Sequence, residues 1–202
     1  VCLRTFLKCN GSVIDVQFTA DGSKFISAGR DIRVWDPRFE KQIKILKGNK
    51  QYFRSIALSA SGARIISGGD DNTVSLWDST TGQCLANFSG HSAPVSSVLL
   101  SSDEKLIISA SHDQSIRVWD TASEECLAIL RGHEDWIFSL AATPDFKAVV
   151  SASWDHTIRV WNIEKSAHAV QSQCHKKKVN CLSYTQDGKQ VISGGSDNIV
   201  WI

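Results

Sequence analysis

Residues 95–120 read V-S-S-V-L-L, S-S-D-E-K, L-I-I-S-A-S, H-D-Q, S-I-R-V-W-D, and the loop T-A-S-E-E then leads to C-L-A-I-L at 126–130. Short apolar runs alternate with polar turns, and no segment carries a long 3.6-residue period. Runs of this length, rich in β-branched residues, predict four β-strands joined by tight turns. The unit recurs. Tryptophans stand at 35, 77, 119, 161 and 201, with steps of 42, 42, 42 and 40 residues. Their settings are V-W-D at 34–36, L-W-D at 76–78, V-W-D at 118–120, V-W-N at 160–162 and V-W-I at the end. Gly90-His91 and Gly132-His133 repeat upstream, whereas Cys174-His175 keeps only the histidine and Gly48-Asn49 only the glycine. Asp21-Gly22, Ser61-Gly62 and Asp187-Gly188 supply hairpin chemistry.

Four short strands per period, with G-H and W-D marks, resemble the WD40 repeat family. The resemblance covers the chain in five repeats, at approximately 1–37, 38–79, 80–121, 122–163 and 164–202. It implies an all-β fold, a β-propeller in which each repeat buries its faces against its neighbours. Members of the family usually form seven-bladed rings, so five repeats are expected to be an open part of a larger propeller. The chain has no methionine, which leads to the same expectation of a portion of something longer, or a processed chain. It begins with an outermost-strand segment, Cys2–Phe6, and stops inside a third strand at Trp201-Ile202. Each outer strand is read as N-terminal to its own triplet. Closure into five blades by strands from both ends is the other reading.

The resemblance also implies a hydrogen-bonded tetrad of His, Ser, Asp and Trp in each blade. The positions that match are His91, Ser109, Asp113 and Trp119, then His133, Ser151, Asp155 and Trp161, then His175, Ser193, Asp197 and Trp201. A buried imidazole and indole need partners, and a hydroxyl and a carboxylate provide them. The same residue types make catalytic triads, but three superimposable copies argue against one activated nucleophile in one cleft. The first two repeats place Cys9 and Asn49 where the histidine stands, and are expected to be less rigid. Asp31 to Trp35 and Asp197 to Trp201 are four residues apart instead of six, so those two hairpins are expected to be shorter or distorted.

In the family, partner contacts fall three and five residues after the tetrad histidine and one before the aspartate. Here those positions hold Ser12, Ile14 and Arg30; Tyr52, Arg54 and Asp70; Pro94, Ser96 and His112; Trp136, Phe138 and Trp154; and Lys178, Asn180 and Ser196. The fourth set stands out on its own. Five of the seven tryptophans are used by the repeat, and the other two, Trp136 and Trp154, both fall in this unit. Aromatics on loops are costly to leave wet and are enriched in binding hot spots. The expected partner-binding residues are Trp136, Phe138, Trp154, Tyr52, Arg54, His112 and Lys178. The bland reading is that Trp136 and Phe138 only pack against neighbouring blades. Lys176-Lys177-Lys178 is a basic run whose ordinary role is solvation, with an acidic peptide or phosphate contact as the other reading.

A net charge of +1, with 21% charged and 42% hydrophobic residues, excludes a disordered chain and a strong global pull toward nucleic acid or anionic membrane. No apolar stretch approaches the ~18 residues of a membrane span. The six cysteines form no C-x-x-C pair. Cys2, Cys84 and Cys126 each open a similar segment and read as small buried hydrophobes with free thiols. No metal or cofactor is expected, since there is no unrepeated His/Asp/Glu cluster and no G-x-S-x-G. The expectation is a non-catalytic protein–protein interaction scaffold in a multiprotein complex, intracellular, in cytoplasm or nucleus, with partner peptides on its top face. The alternatives are an RNA-binding or RNA-processing subunit, or the sensor region of a larger NTPase or ubiquitin-ligase substrate receptor.

Overall fold

A computed structural model describes residues 11–38, 41–46, 52–163, 169–172, 175–185 and 189–202. Cys2, Cys9, Gly48, Asn49, Cys174 and Asp187-Gly188 lie outside the described residues. So do the outer strand read over Cys2–Phe6 and the histidine-equivalent positions of the first two repeats.

The described residues form five antiparallel sheets. The first holds β1 (Asp15–Phe18), β2 (Phe25–Ala28), β3 (Ile32–Asp36) and β4 (Lys41–Leu46). The second holds β5 (Phe53–Leu58), β6 (Arg64–Gly69), β7 (Val74–Asp78) and β8 (Cys84–Phe88). The third holds β9 (Val95–Leu100), β10 (Leu106–Ser111), β11 (Ser115–Asp120) and β12 (Cys126–Arg131). The fourth holds β13 (Ile137–Ala142), β14 (Ala148–Ser153), β15 (Ile158–Asn162) and β16 (Ala169–Ser172). The fifth has β17 (Val179–Tyr184), β18 (Val191–Gly195) and β19 (Val200–Trp201). In the four-stranded sheets each strand pairs with the next in sequence. The outer strand therefore follows its triplet in the chain, and sheet and sequence repeat are offset by one strand. This reverses the expected assignment of each outer strand to the triplet after it.

The double apolar residues of the middle strands explain the stacking. Successive side chains of a strand point to opposite faces. Ile65 packs toward the first sheet, among Ile26, Val34 and Leu46. Ile66 packs toward the third, with Val95 and Ile107. Ile107 and Ile108 divide in the same way between the second and fourth sheets. Val149 and Val150 divide between the third and fifth. All six are fully buried, each contributing roughly 1.5–3 kcal/mol by leaving water. A middle strand that is apolar on both faces can exist only between two neighbouring sheets.

The inner strands are tied across sheets by a side-chain ladder. Ile56 N–H donates to Asp15 Oδ2 at 2.8 Å, and Val98 N–H to Ser55 Oγ at 3.3 Å. Leu140 N–H donates to Ser97 Oγ at 3.2 Å, and Leu182 N–H to Ser139 Oγ at 3.1 Å. Each bond satisfies an edge amide that β-pairing leaves open. Among the described residues, the end sheets show no such cover on their outer faces. Phe18 on β1 is 63% exposed and Val16 is also exposed, as are Val200, Trp201 and Ile202 at the other end. β1 and β17 do not pack as the other inner strands do.

Cys84 and Cys126 are exposed free thiols, not buried hydrophobes. They begin the outermost strands, opposite bulges at Trp77 and Trp119, where no further strand covers them.

Candidate functional site

The repeated serines, histidines and aspartates come together in the interior. In the third sheet His91 Nε2 lies 2.8 Å from Ser109 Oγ, and Nδ1 lies 2.8 Å from Asp113. Trp119 Nε1–H donates to the same Ser109 Oγ at 2.8 Å. The fourth sheet repeats this with His133, Ser151, Asp155 and Trp161, at 2.6, 2.6 and 2.8 Å. The network assigns the protons. Indole N–H donates to serine, serine O–H to neutral imidazole, and imidazole N–H to carboxylate, so every buried group is satisfied. Burial would raise the Asp113 carboxyl, but hydrogen bonds from His91 and Ser115 outweigh it and hold the group well below the ordinary range. His133 and Thr157 do the same for Asp155. Ser109 and Ser151 are fully buried, with the oxygen engaged by indole and imidazole together, so neither can attack a substrate.

The fifth sheet corrects the expected tetrad. His175 reaches Ser193 at 2.9 Å and Asp197 at 3.0 Å, but Trp201 is not its indole. Trp119 and Trp161 stand opposite Ile107 and Val149, two residues before their serines. Trp201 stands opposite Ser193 itself, in the register of Arg117 and Arg159, and is 47% exposed. Gly194 pairs with Val200 as Ala110 pairs with Ile116, so this hairpin is not shortened; its tryptophan comes two positions early. The first sheet does have the shorter hairpin, with Ala28 paired to Ile32. Trp35 there keeps its register, and its Nε1 donates to Ser27 Oγ at 2.8 Å. Trp77 Nε1 donates likewise to Ser67 Oγ at 2.8 Å.

The upper rim is built by two repeated devices. In four sheets the backbone N–H one residue before the tetrad aspartate donates to a carbonyl three residues after the histidine position. These bonds are Asp70 to Tyr52 at 2.9 Å, His112 to Pro94 at 3.0 Å, Trp154 to Trp136 at 2.9 Å and Ser196 to Lys178 at 2.8 Å. The β10–β11 turn and its counterparts are thereby held beside the segment that enters the inner strand. The second device is a β-bulge. Register slips around Arg54, Ser96, Phe138 and Asn180, which are the residues five after the histidine position. A bulge leaves one residue unpaired and re-aims its side chain.

These devices collect aromatics from two sheets into one cluster. His112 and Trp136 stack with centroids 4.3 Å apart and planes 1° from parallel. Phe138 and Trp154 stack at 4.5 Å and 10°. Trp136 meets Trp154 at 5.0 Å, and Phe138 meets His112 at 5.0 Å. Lys178, from the fifth sheet, places its ammonium 3.2 Å from the Trp154 ring centroid. Arg54 ion-pairs with Asp70. Burial and then the Arg54 charge lower the His112 imidazole below its ordinary range, with Asp70 and Asp135 opposing. Trp136 is 40% exposed, while Trp154 is half-buried beneath Lys178. The structure thus brings His112, Trp136, Phe138, Trp154 and Lys178 together, with Arg54 adjoining. Tyr52, also expected among the partner-binding residues, lies elsewhere, with its hydroxyl near Gly11, ahead of β1. Sequence reasoning missed the Ser55, Ser97 and Ser139 ladder, although its 42-residue step was a legible signal.

Five stacked antiparallel sheets, four of them carrying the indole–serine bond, define a repeat protein of the propeller type. The model of the "WD domain, G-beta repeat" family matches residues 1–36, 40–78, 82–120, 124–162 and 168–202. The chain belongs to the WD repeat family. It is similar to the DENN domain and WD repeat-containing protein SCD1 of Arabidopsis thaliana, 30% identical over 86 residues, which are 42% of this chain and 7% of that protein. Nuclear distribution protein nudF 2 of Penicillium rubens is 34% identical over 84 residues, 41% of this chain and 17% of that protein. F-box/WD repeat-containing protein 7 of Drosophila melanogaster is 41% identical over 51 residues, 25% of this chain and 4% of that protein. The matches thus span less than a fifth of each of these relatives.

Proposed function

We propose that the chain is a non-catalytic platform that holds partner proteins on its upper rim, within a multiprotein assembly. One observation carries this reading: the His112–Trp136–Phe138–Trp154 cluster, with Trp136 40% exposed on a rim segment where polar residues are usual. Rings fixed by stacking lose little entropy when a partner docks, and buried aromatics surrounded by polar groups are the anchors of interfaces. An assembly role is supported by a further relative, named THO complex subunit 6, of Arabidopsis thaliana, which is 31% identical over 77 residues, 38% of this chain and 20% of that protein. In this reading the chain works inside the cell, in cytoplasm or nucleus, and needs no metal or cofactor.

The test is affinity purification with wild type and with Trp136→Ala. The platform reading expects a defined set of proteins on the wild type that the variant loses while melting at nearly the same temperature. Identical protein sets on both would sink it.

A further inference from the structure

The aromatic cluster has unmet polar needs. Lys178 lays its ammonium over Trp154 and meets no carboxylate among the described residues. Lys176 and Lys177, just before it, are exposed. Trp154 Nε1 is a buried donor with no acceptor, and His112 Nε2, on a residue 8% exposed, is also unpartnered. The other two orphaned nitrogens, Arg117 Nε and Arg159 Nε, lie away from this cluster, on side chains at the tetrad tryptophans.

Four carboxylates of the rim are already engaged. Asp197 takes His175 and the Lys176 amide. Asp155 takes His133 and Thr157, and Asp70 takes Arg54. Asp135 accepts from the Trp136 amide. Glu134 is an exposed acid on the segment before Trp136. What the cluster lacks is therefore an anionic acceptor on its Lys178 side, next to the exposed face of Trp136.

We propose that the cluster receives an acidic linear segment of a partner protein, a carboxylate on Lys178 and a neighbouring apolar side chain on Trp136. This rests on the platform reading and adds the partner's chemistry to it. The cation–π contact holds Lys178 in place before the partner arrives, so the carboxylate meets a charge whose side chain is already ordered. Charge complementarity of this kind sets specificity and on-rate, and it weakens with salt.

The probes are a fluorescent peptide of glutamates around one phenylalanine, its glutamine and lysine counterparts, and an oligouridylate. Anisotropy titrations use wild type, Lys178→Gln and Trp136→Ala, with melting curves to show that each folds. The expected result is that the glutamate peptide binds about tenfold more tightly than the glutamine peptide at low salt. Lys178→Gln should narrow that gap, while Trp136→Ala weakens both peptides alike. Equal affinity for the glutamate and glutamine peptides overturns the acidic assignment. If Trp136→Ala still weakens both, the platform reading survives. Tighter binding of the oligouridylate than of the glutamate peptide, or no binding of the glutamate peptide, also overturns the proposal.

Discussion

Trp136 and His112 lie face to face, 4.3 Å between centroids and 1° from parallel, although one belongs to the fourth sheet's entry segment and the other to the third sheet's turn. The contact bridges two sheets at the rim, while the isoleucine pairs and the serine ladder bridge them inside. Rim and core can therefore be perturbed separately.

Trp136→Ala removes a ring that is 40% exposed and leaves the packed sheets intact. Its cost to folding is expected to stay near 1 kcal/mol, while partner affinity falls at least tenfold, as for an interface anchor. Trp154→Ala is expected to behave differently. Its ring is stacked on Phe138 and covered by Lys178, so it should cost about 2 kcal/mol or more in stability as well as binding. Urea melts beside a binding titration separate the two variants.

Ser109→Ala takes the acceptor from Trp119 Nε1 and the donor from His91 Nε2. Each orphaned buried group is expected to cost about 1–3 kcal/mol. In a double-mutant cycle with Trp119→Phe, the two substitutions should couple by about 1 kcal/mol, because the second removes a donor the first has already stranded. Additive effects would show that the serine does not link the two rings.

Acid should weaken the fold in two windows. His112 is held below its ordinary value by burial and by Arg54, so the unfolded chain takes the proton first as pH falls below about 6.5. That contribution is present above the ordinary value and lost as pH falls. Asp113 and Asp155 are held below the ordinary carboxylate range, so their contribution is lost only below about pH 4. His112→Gln should flatten the upper window alone, and Asp113→Asn should reduce the lower one. Denaturant midpoints measured across pH check both.

The hairpin turns offer a gain. Gly22 and Gly62 adopt φ of 67° and 69°, which glycine takes without steric cost. Glu104 occupies the same turn at 59°, a conformation that costs a side-chain-bearing residue about 1–2 kcal/mol, partly offset by its lower unfolded-state entropy. Glu104→Gly is expected to raise the melting temperature by a few degrees. A lower melting temperature would mean that Glu104 contributes a contact the backbone strain conceals.

What spacing could reveal was mostly legible. The offsets of 18 and 4 residues that linked His91, Ser109 and Asp113 are strand geometry written in sequence, because register fixes which residues meet. Trp201 misled for the same reason. A tryptophan near the expected distance is not a tryptophan in register, and a shift of two keeps the strand face while moving the ring past its serine. The rim positions were named from the resemblance, but their mutual stacking was not readable. It joins residues of two sheets, and Phe138 takes part from a bulge of β13, which leaves no mark in periodicity. Tyr52 was misplaced because its ring lies near Gly11, forty-one residues away in the chain, a neighbour that spacing does not reveal.

The most direct test places a photo-crosslinking amino acid at Glu134, exposed on the segment just before Trp136, and, separately, at Leu127, which is 55% exposed on the outer strand β12. The platform account predicts that position 134, with Trp136 intact, captures the same protein that Trp136→Ala loses, and that position 127 captures none of it. Equal capture at both positions, or capture at 127 alone, would contradict the account.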